Sequence, residues 1–179
     1  MRVFIILIVT AFTTGALAQC PKNPAISEEL DEAYRSLKFA KFPRDAQVAT
    51  DVLWSLWTRA PDNRAQRLLN RGMMNLRLGD LAAAEGFLSV LIKYCPDYAE
   101  GYNQRAFARY LAGNFEGALP DLARALSILP RHLGALSGKG LTHLALGQPE
   151  LAEIEFRKEM ALNPFTADRD LIPNLGTDL

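Results

Sequence analysis

Apolar positions recur at three- and four-residue steps along nearly the whole chain. Leu30, Ala33, Tyr34, Leu37 and Ala40 form one such run, and Val48, Val52, Leu53, Leu56 and Trp57 form the next. This spacing predicts amphipathic helices over Ser27–Lys41 and Arg44–Thr58, with Ser27 as the N-cap and Pro43 as the break between them. Six more helices follow from the same reading: Asp62–Leu78, Leu81–Tyr94, Tyr98–Ala112, Phe115–Leu129, Arg131–Leu146 and Pro149–Asn163. The pattern implies an all-α chain of antiparallel helix pairs.

The last six helices repeat one another at a period of 34 residues. Pro96, Pro130 and Pro164 form one column; Gly79, Gly113 and Gly147 a second; Ala84, Ala118 and Ala152 a third; Gly72, Ala106 and Gly140 a fourth. Each column has a physical reason. Small residues let helix backbones approach, the glycines end the first helix of each pair in a left-handed turn, and the prolines stop the second. A fixed period of this kind marks a solenoid. Residues 65–164 resemble three consecutive tetratricopeptide repeats without insertion. The resemblance implies a right-handed superhelical solenoid: residues 1–18 a leader, 19–64 a degenerate capping helix pair, repeats at 65–98, 99–132 and 133–166, and a tail at 167–179. The Trp54/Trp57 helix and the run from Pro130 to Leu136 also resemble a group of exported bacterial repeat proteins.

In that family the first helices line a concave groove that holds peptides. The resemblance would put Leu69, Met73, Leu76, Arg77, Asn103, Phe107, Tyr110, Leu111, Leu141 and Leu144 in it. Part of this arc also serves the packing between repeats, and an apolar surface left open would bind a helix or extended segment with apolar anchors. The cationic clamp that some family members close on a terminal carboxylate is missing here: the comparable positions hold Leu69, Met73, Gln104, Gly134 and Gly138. Arg71, Arg105 and Lys139 recur at 34, either as a ladder for an acidic ligand or as side chains that answer carboxylates within the fold.

Two positions disturb the pattern. Pro120 falls near the second turn of its helix, which predicts a kink or a later start. Trp54 and Trp57 sit three apart, Trp57 reading as core against the helix that begins near Ala65, and Trp54 as part of the cap or as a partner contact.

The first residues read as a secretory leader: Arg2, an apolar run from Val3 to Phe12, then Ala16-Leu17-Ala18 with cleavage after Ala18. The run is shorter than the roughly 20 residues of a membrane-spanning helix, so no span is expected after cleavage and a periplasmic or secreted location is. The chain holds 20 basic and 20 acidic side chains, a balance with no broad field for nucleic acid. Only Cys20 and Cys95 are present. In an oxidising compartment they either pair, which the stacking of turns on one edge favours, or stay as two thiols, one of them buried.

No catalytic, cofactor or metal constellation is read. His132 and His143 lack neighbours at ligand spacing, and neither a phosphate loop nor a nucleophile elbow is present. The expectation is an exported module that binds a protein or peptide, as adaptor or assembly factor. The alternative is a self-associating scaffold, a homo-oligomer formed through the tail with the groove filled by its own chain. That tail, after Pro164, carries Phe165, Leu171, Ile172, Leu175 and Leu179, broken by Pro173 and Gly176.

Overall fold

A computed structural model describes residues 20–21 and 26–172. The expected leader and the end of the tail from residue 173 lie outside the described residues. Eight α-helices follow one another: α1 Ile26–Lys38, α2 Pro43–Trp57, α3 Asn63–Leu78, α4 Leu81–Tyr94, α5 Ala99–Leu111, α6 Phe115–Ile128, α7 Leu133–Ala145 and α8 Pro149–Leu162. A short 3-10 turn, Ala167–Leu171, closes the described chain. Among the described residues there is no strand, and the fold is an all-α solenoid of helix pairs.

Each repeat is written by the same local chemistry. Asp62, Asp80 and Asn114 accept the backbone N–H of Ala65, Ala83 and Gly117 and so begin α3, α4 and α6. Gly79, Gly113 and Gly147 adopt φ of 76°, 75° and 69°, the left-handed region open to glycine. The amide that follows each one closes back on a carbonyl of the helix, Asp80 on Asn75, Asn114 on Arg109 and Gln148 on His143. The small-residue column acts by contact. A Cβ on Gly72 would stand 2.6 Å from the Leu88 side chain, and one on Gly140 would stand 2.3 Å from the Phe156 ring. Any larger residue there would push the two helices of the repeat apart.

The recurring cations turn inward to their own repeat. Each packs on the residue sixteen places later in its own second helix. Arg71 lies over the Phe87 ring, Arg105 makes two bonds to the Asp121 carboxylate, and Lys139 meets Glu155 at 2.9 Å. Arg109 joins the second of these pairs, bridging Asp121, Glu85 and the Gly117 carbonyl. The ladder therefore ties first helix to second helix and offers no row of free charge to an acidic ligand.

Two expectations about helix limits change. Ser27 falls in the first turn of α1, which begins at Ile26. Helix α6 begins at Phe115 and runs through Pro120 to Ile128, so the start is not displaced. The Asn114 side chain folds over Gly117, 2.5 Å from where a Cβ would stand, and this cap holds the turn in which Gly117 lies.

The larger correction concerns the N-terminal pair. A repeat ahead in series would lay α2 along α3. Instead α1 and α2 pack on each other and on Leu133, with Leu129 and Leu162 at the margin. The pair lies across the edge where the turns between repeats stack. The cause is long-range: its apolar face finds the end of the second repeat and the start of the third.

At the other end, Ile172 is buried with Phe156 and Ala152, so the tail folds back over the last repeat. Glu159 is buried beneath it and accepts a bond from the Thr166 hydroxyl at 2.8 Å. Burial pushes the Glu159 carboxyl up to about 8; the Thr166 bond opposes this and the neighbouring Asp168 adds to it. A value raised above the ordinary carboxyl range means that the folded tail keeps a proton the free chain gives up. The stability this lends is full below the ordinary range and is lost as pH rises through about 8. The Ile172 methyl resonances, followed by NMR from pH about 5 to about 9, are expected to move toward solvent-exposed positions over that interval. Glu159→Gln is expected to keep them in place.

Candidate functional site

Where the N-terminal pair meets the repeats, the contacts are polar as well as apolar. His132 caps α7: its Nδ1 accepts the Ala135 N–H at 3.2 Å, which leaves the proton on Nε2. That Nε2 donates to Glu100 at 2.8 Å, and the Glu100 carboxylate also accepts from Gln104 and Asn103. Both His132 and Glu100 are buried. Trp57, at the end of α2, stacks on the His132 ring with centroids 4.1 Å apart and planes 19° from parallel. Trp54 closes the same corner, its ring 3.2 Å from where a Gly134 Cβ would stand.

Hydrogen bonds from the repeat turns hold the pair in register. Tyr98 donates to the Trp57 carbonyl at 2.6 Å, and Tyr34 donates to the Arg131 carbonyl at 2.5 Å. Burial pushes the Tyr98 phenol up, which keeps it the neutral donor this bond needs. The Arg131 guanidinium lies over the Tyr34 ring and pairs with Asp31. Cys20 and Cys95 are joined in a disulfide, tying the segment before α1 to the turn between α4 and α5. The start of α1, Trp57 and this segment line an open cleft of about 1310 Å³ against the turns, with Glu100 and His132 in its wall.

Helices α3, α5 and α7 lie side by side and present a second surface. On α5 it exposes Phe107 at 49% and Leu111 at 46%, one helical turn apart, and α3 exposes Met74 and Leu78. Tyr110 is half-buried and lies against Phe115, with centroids 5.3 Å apart.

No protein-family model matches the chain. A TPR repeat-containing protein of Rhizobium etli is 28% identical over 142 residues, 79% of this chain and 69% of that protein. Tetratricopeptide repeat protein 36 of Bos taurus is 31% identical over 121 residues, 65% of this chain and 64% of the relative. The first TPR of Spaghetti, solved bound to an HSP90 peptide, superposes with a TM-score of 0.59 at 20% identity, over 60% of this chain and 85% of that one. The chain is a tetratricopeptide-repeat protein. It spans just under two thirds of the bovine relative's length.

Of the residues expected to line the groove, some are open or half-open to solvent and some are buried. Leu69 is fully buried between α3, α4 and α5, and Asn103 is buried on Glu100; neither can touch a ligand. Met73 and Leu76 are half-buried against the core of the first repeat, and Leu141 and Leu144 against that of the last. Arg77, Phe107 and Leu111 are open to solvent. On α5 the candidates open toward the later turns, Asn103 buried and Phe107 and Leu111 exposed, whereas on α7 both Leu141 and Leu144 stay half-buried. Trp57 is core, as its helical spacing suggests, but its partner is His132 and not the helix that begins near Ala65. His143 is also partnered, through Nδ1 to the Gln148 side chain at 2.8 Å.

Glu100 is the residue that sequence reading passed over. Its signal was a carboxylate at a groove position two residues beyond Tyr98, 32 residues ahead of a histidine in the next turn.

Removing His132 takes one of three donors from the buried Glu100 side chain and the ring from under Trp57, so His132→Ala is expected to cost about 1–3 kcal/mol in urea unfolding and to shift tryptophan emission to the red. Cys20→Ser, which opens the bridge, is expected to cost about 2–4 kcal/mol. Unchanged emission in His132→Ala would mean that α2 is not held by this stack.

Proposed function

We propose that this chain is an exported protein-interaction module whose ligand lies along the open part of its groove. Phe107 and Leu111 are the central anchors, Tyr110, Leu141 and Leu144 the flanks, and Arg77 the polar rim. The observation that carries the reading is the exposure of Phe107 and Leu111 on α5, the middle of the three groove helices. Two large apolar side chains one turn apart, each about half open to water, match a ligand with apolar anchors at helical or extended spacing. The peptide-bound state of Spaghetti's first TPR, a protein of the same fold, supports protein binding in general.

Export draws support from the leader-like first residues and from the Cys20–Cys95 bridge, since disulfides persist in oxidising compartments. An adaptor or assembly factor is the role that fits, because the surface binds without any arrangement for chemistry. The occupied start of α7 narrows the ligand: a segment that needs the first turn of that helix would have to displace Trp54 and Trp57.

The test is affinity capture from the exported fraction with the parent and with Phe107→Glu/Leu111→Glu. Both side chains are half-exposed, so the variant is expected to keep its circular dichroism, whereas a charge at buried Leu69 would unfold the repeat. A defined protein retained by the parent and lost by the folded variant supports the groove. Capture that is the same in both would place the binding surface elsewhere.

A further inference from the structure

The turn between α1 and α2 reads Lys38-Phe39-Ala40-Lys41-Phe42-Pro43-Arg44. Its two aromatic side chains are turned out to water: Phe39 is 70% exposed and Phe42 is 65% exposed. Neither folds back on the core that Leu37 and Ala46 enter from either side of the turn. Lys38, Lys41 and Arg44 are exposed as well, and among the described residues none of the three makes an ion pair or hydrogen bond. Elsewhere among the described residues Arg35, Arg59, Arg105, Arg109, Arg124 and Arg131 each reach a carboxylate, while Arg67, Arg77, Lys93 and Arg169 make no ion pair and stand apart from one another in the sequence. The turn lies about 22 Å along α2 from Trp57 at a rise of 1.5 Å per residue. It is therefore the far end of the docked pair, away from the Trp57–His132 stack.

We propose that this turn is a contact for an anionic membrane surface. The chemistry is complementary on two levels. Cations interleaved with aromatics suit a lipid interface, where the charges meet phosphate and the rings enter the boundary of the acyl region. A folded protein partner would more commonly offer a pocket for one aromatic anchor; the alternation here places charge on both sides of each ring, as a headgroup layer does. Asp45 is the one acidic residue beside the turn, and the stretch from Lys38 to Asp45 keeps a net charge of +2. The neutral balance of the whole chain does not oppose this, because the attraction acts within a Debye length of the surface. No helix of the described residues is long and apolar enough to cross a membrane, so the contact is peripheral. The attachment would leave Phe107 and Leu111, on a different element, free for a ligand.

The test uses the full chain with vesicles of phosphatidylglycerol and phosphatidylcholine in equal parts, and with vesicles of phosphatidylcholine alone. Sedimentation is read beside amide hydrogen exchange of the Lys38–Arg44 backbone. The parent is expected to bind the anionic vesicles, to release them as salt rises, and to gain exchange protection at the turn only on those vesicles. Phe39→Ser/Phe42→Ser and Lys38→Gln/Lys41→Gln/Arg44→Gln change only exposed side chains and are expected to keep the fold. Each is expected to lose the protection, and the charge variant to lose roughly fivefold in partitioning per cation removed. A turn that stays unprotected on anionic vesicles overturns the proposal, even if the chain sediments through another segment. So does equal protection on neutral vesicles, or protection that survives in both variants.

Discussion

The buried Glu100 carboxylate and the His132 imidazole sit where three parts of the molecule meet: the second repeat, the third repeat and the N-terminal pair. A carboxylate taken out of water must be fully answered, and here three side chains answer it: His132, Gln104 and Asn103. The same imidazole supplies the cap of α7 and the flat face on which Trp57 rests. One ring thus begins a helix, donates to a buried acceptor and docks a distant element. The orientation of α2, the coverage of the start of α7 and the exposure of the α1–α2 turn all follow from where that ring is held.

This arrangement changes what the solenoid presents. In a plain stack of repeats each first helix would expose its whole inner face. Here Trp54 lies against Gly134 in the first turn of α7 and Trp57 against its cap His132, so the start of that helix is occupied by the chain itself, while Phe107 and Leu111 on α5 remain open. The Tyr98 bond fastens the end of α2, the Tyr34 bond fastens α1 and the disulfide fastens the segment before it, so that the docking belongs to the resting fold. The recurring Arg and Lys residues are likewise used up within each repeat, which leaves an apolar and not a charged groove.

The repeats were legible because their determinants are local. A glycine that must take positive φ, a proline that must stop a helix and a small residue under Leu88 or Phe156 are each read within one 34-residue unit, and three copies agree. The placement of α1 and α2 was not legible for the opposite reason. Their helical spacing shows an apolar face without saying which distant face it meets, and Trp57 would suit the end of a stack as well as the side of one. The candidate groove was legible as a set of positions but not as a surface. Met73 and Phe107 occupy the same place on successive repeats, yet one is half-buried and the other open, since burial depends on neighbours that periodicity does not name.

The claim on which the account rests is that α2 docks on the turns of the second and third repeats, not on the face of α3. Nuclear Overhauser contacts of the two indoles test it directly. The account predicts strong cross-peaks from Trp57 to the His132 ring and from Trp54 to the Gly134 α-protons. Cross-peaks from these indoles to the side chains of α3, with none to His132, would put the pair in series as an end cap and contradict it.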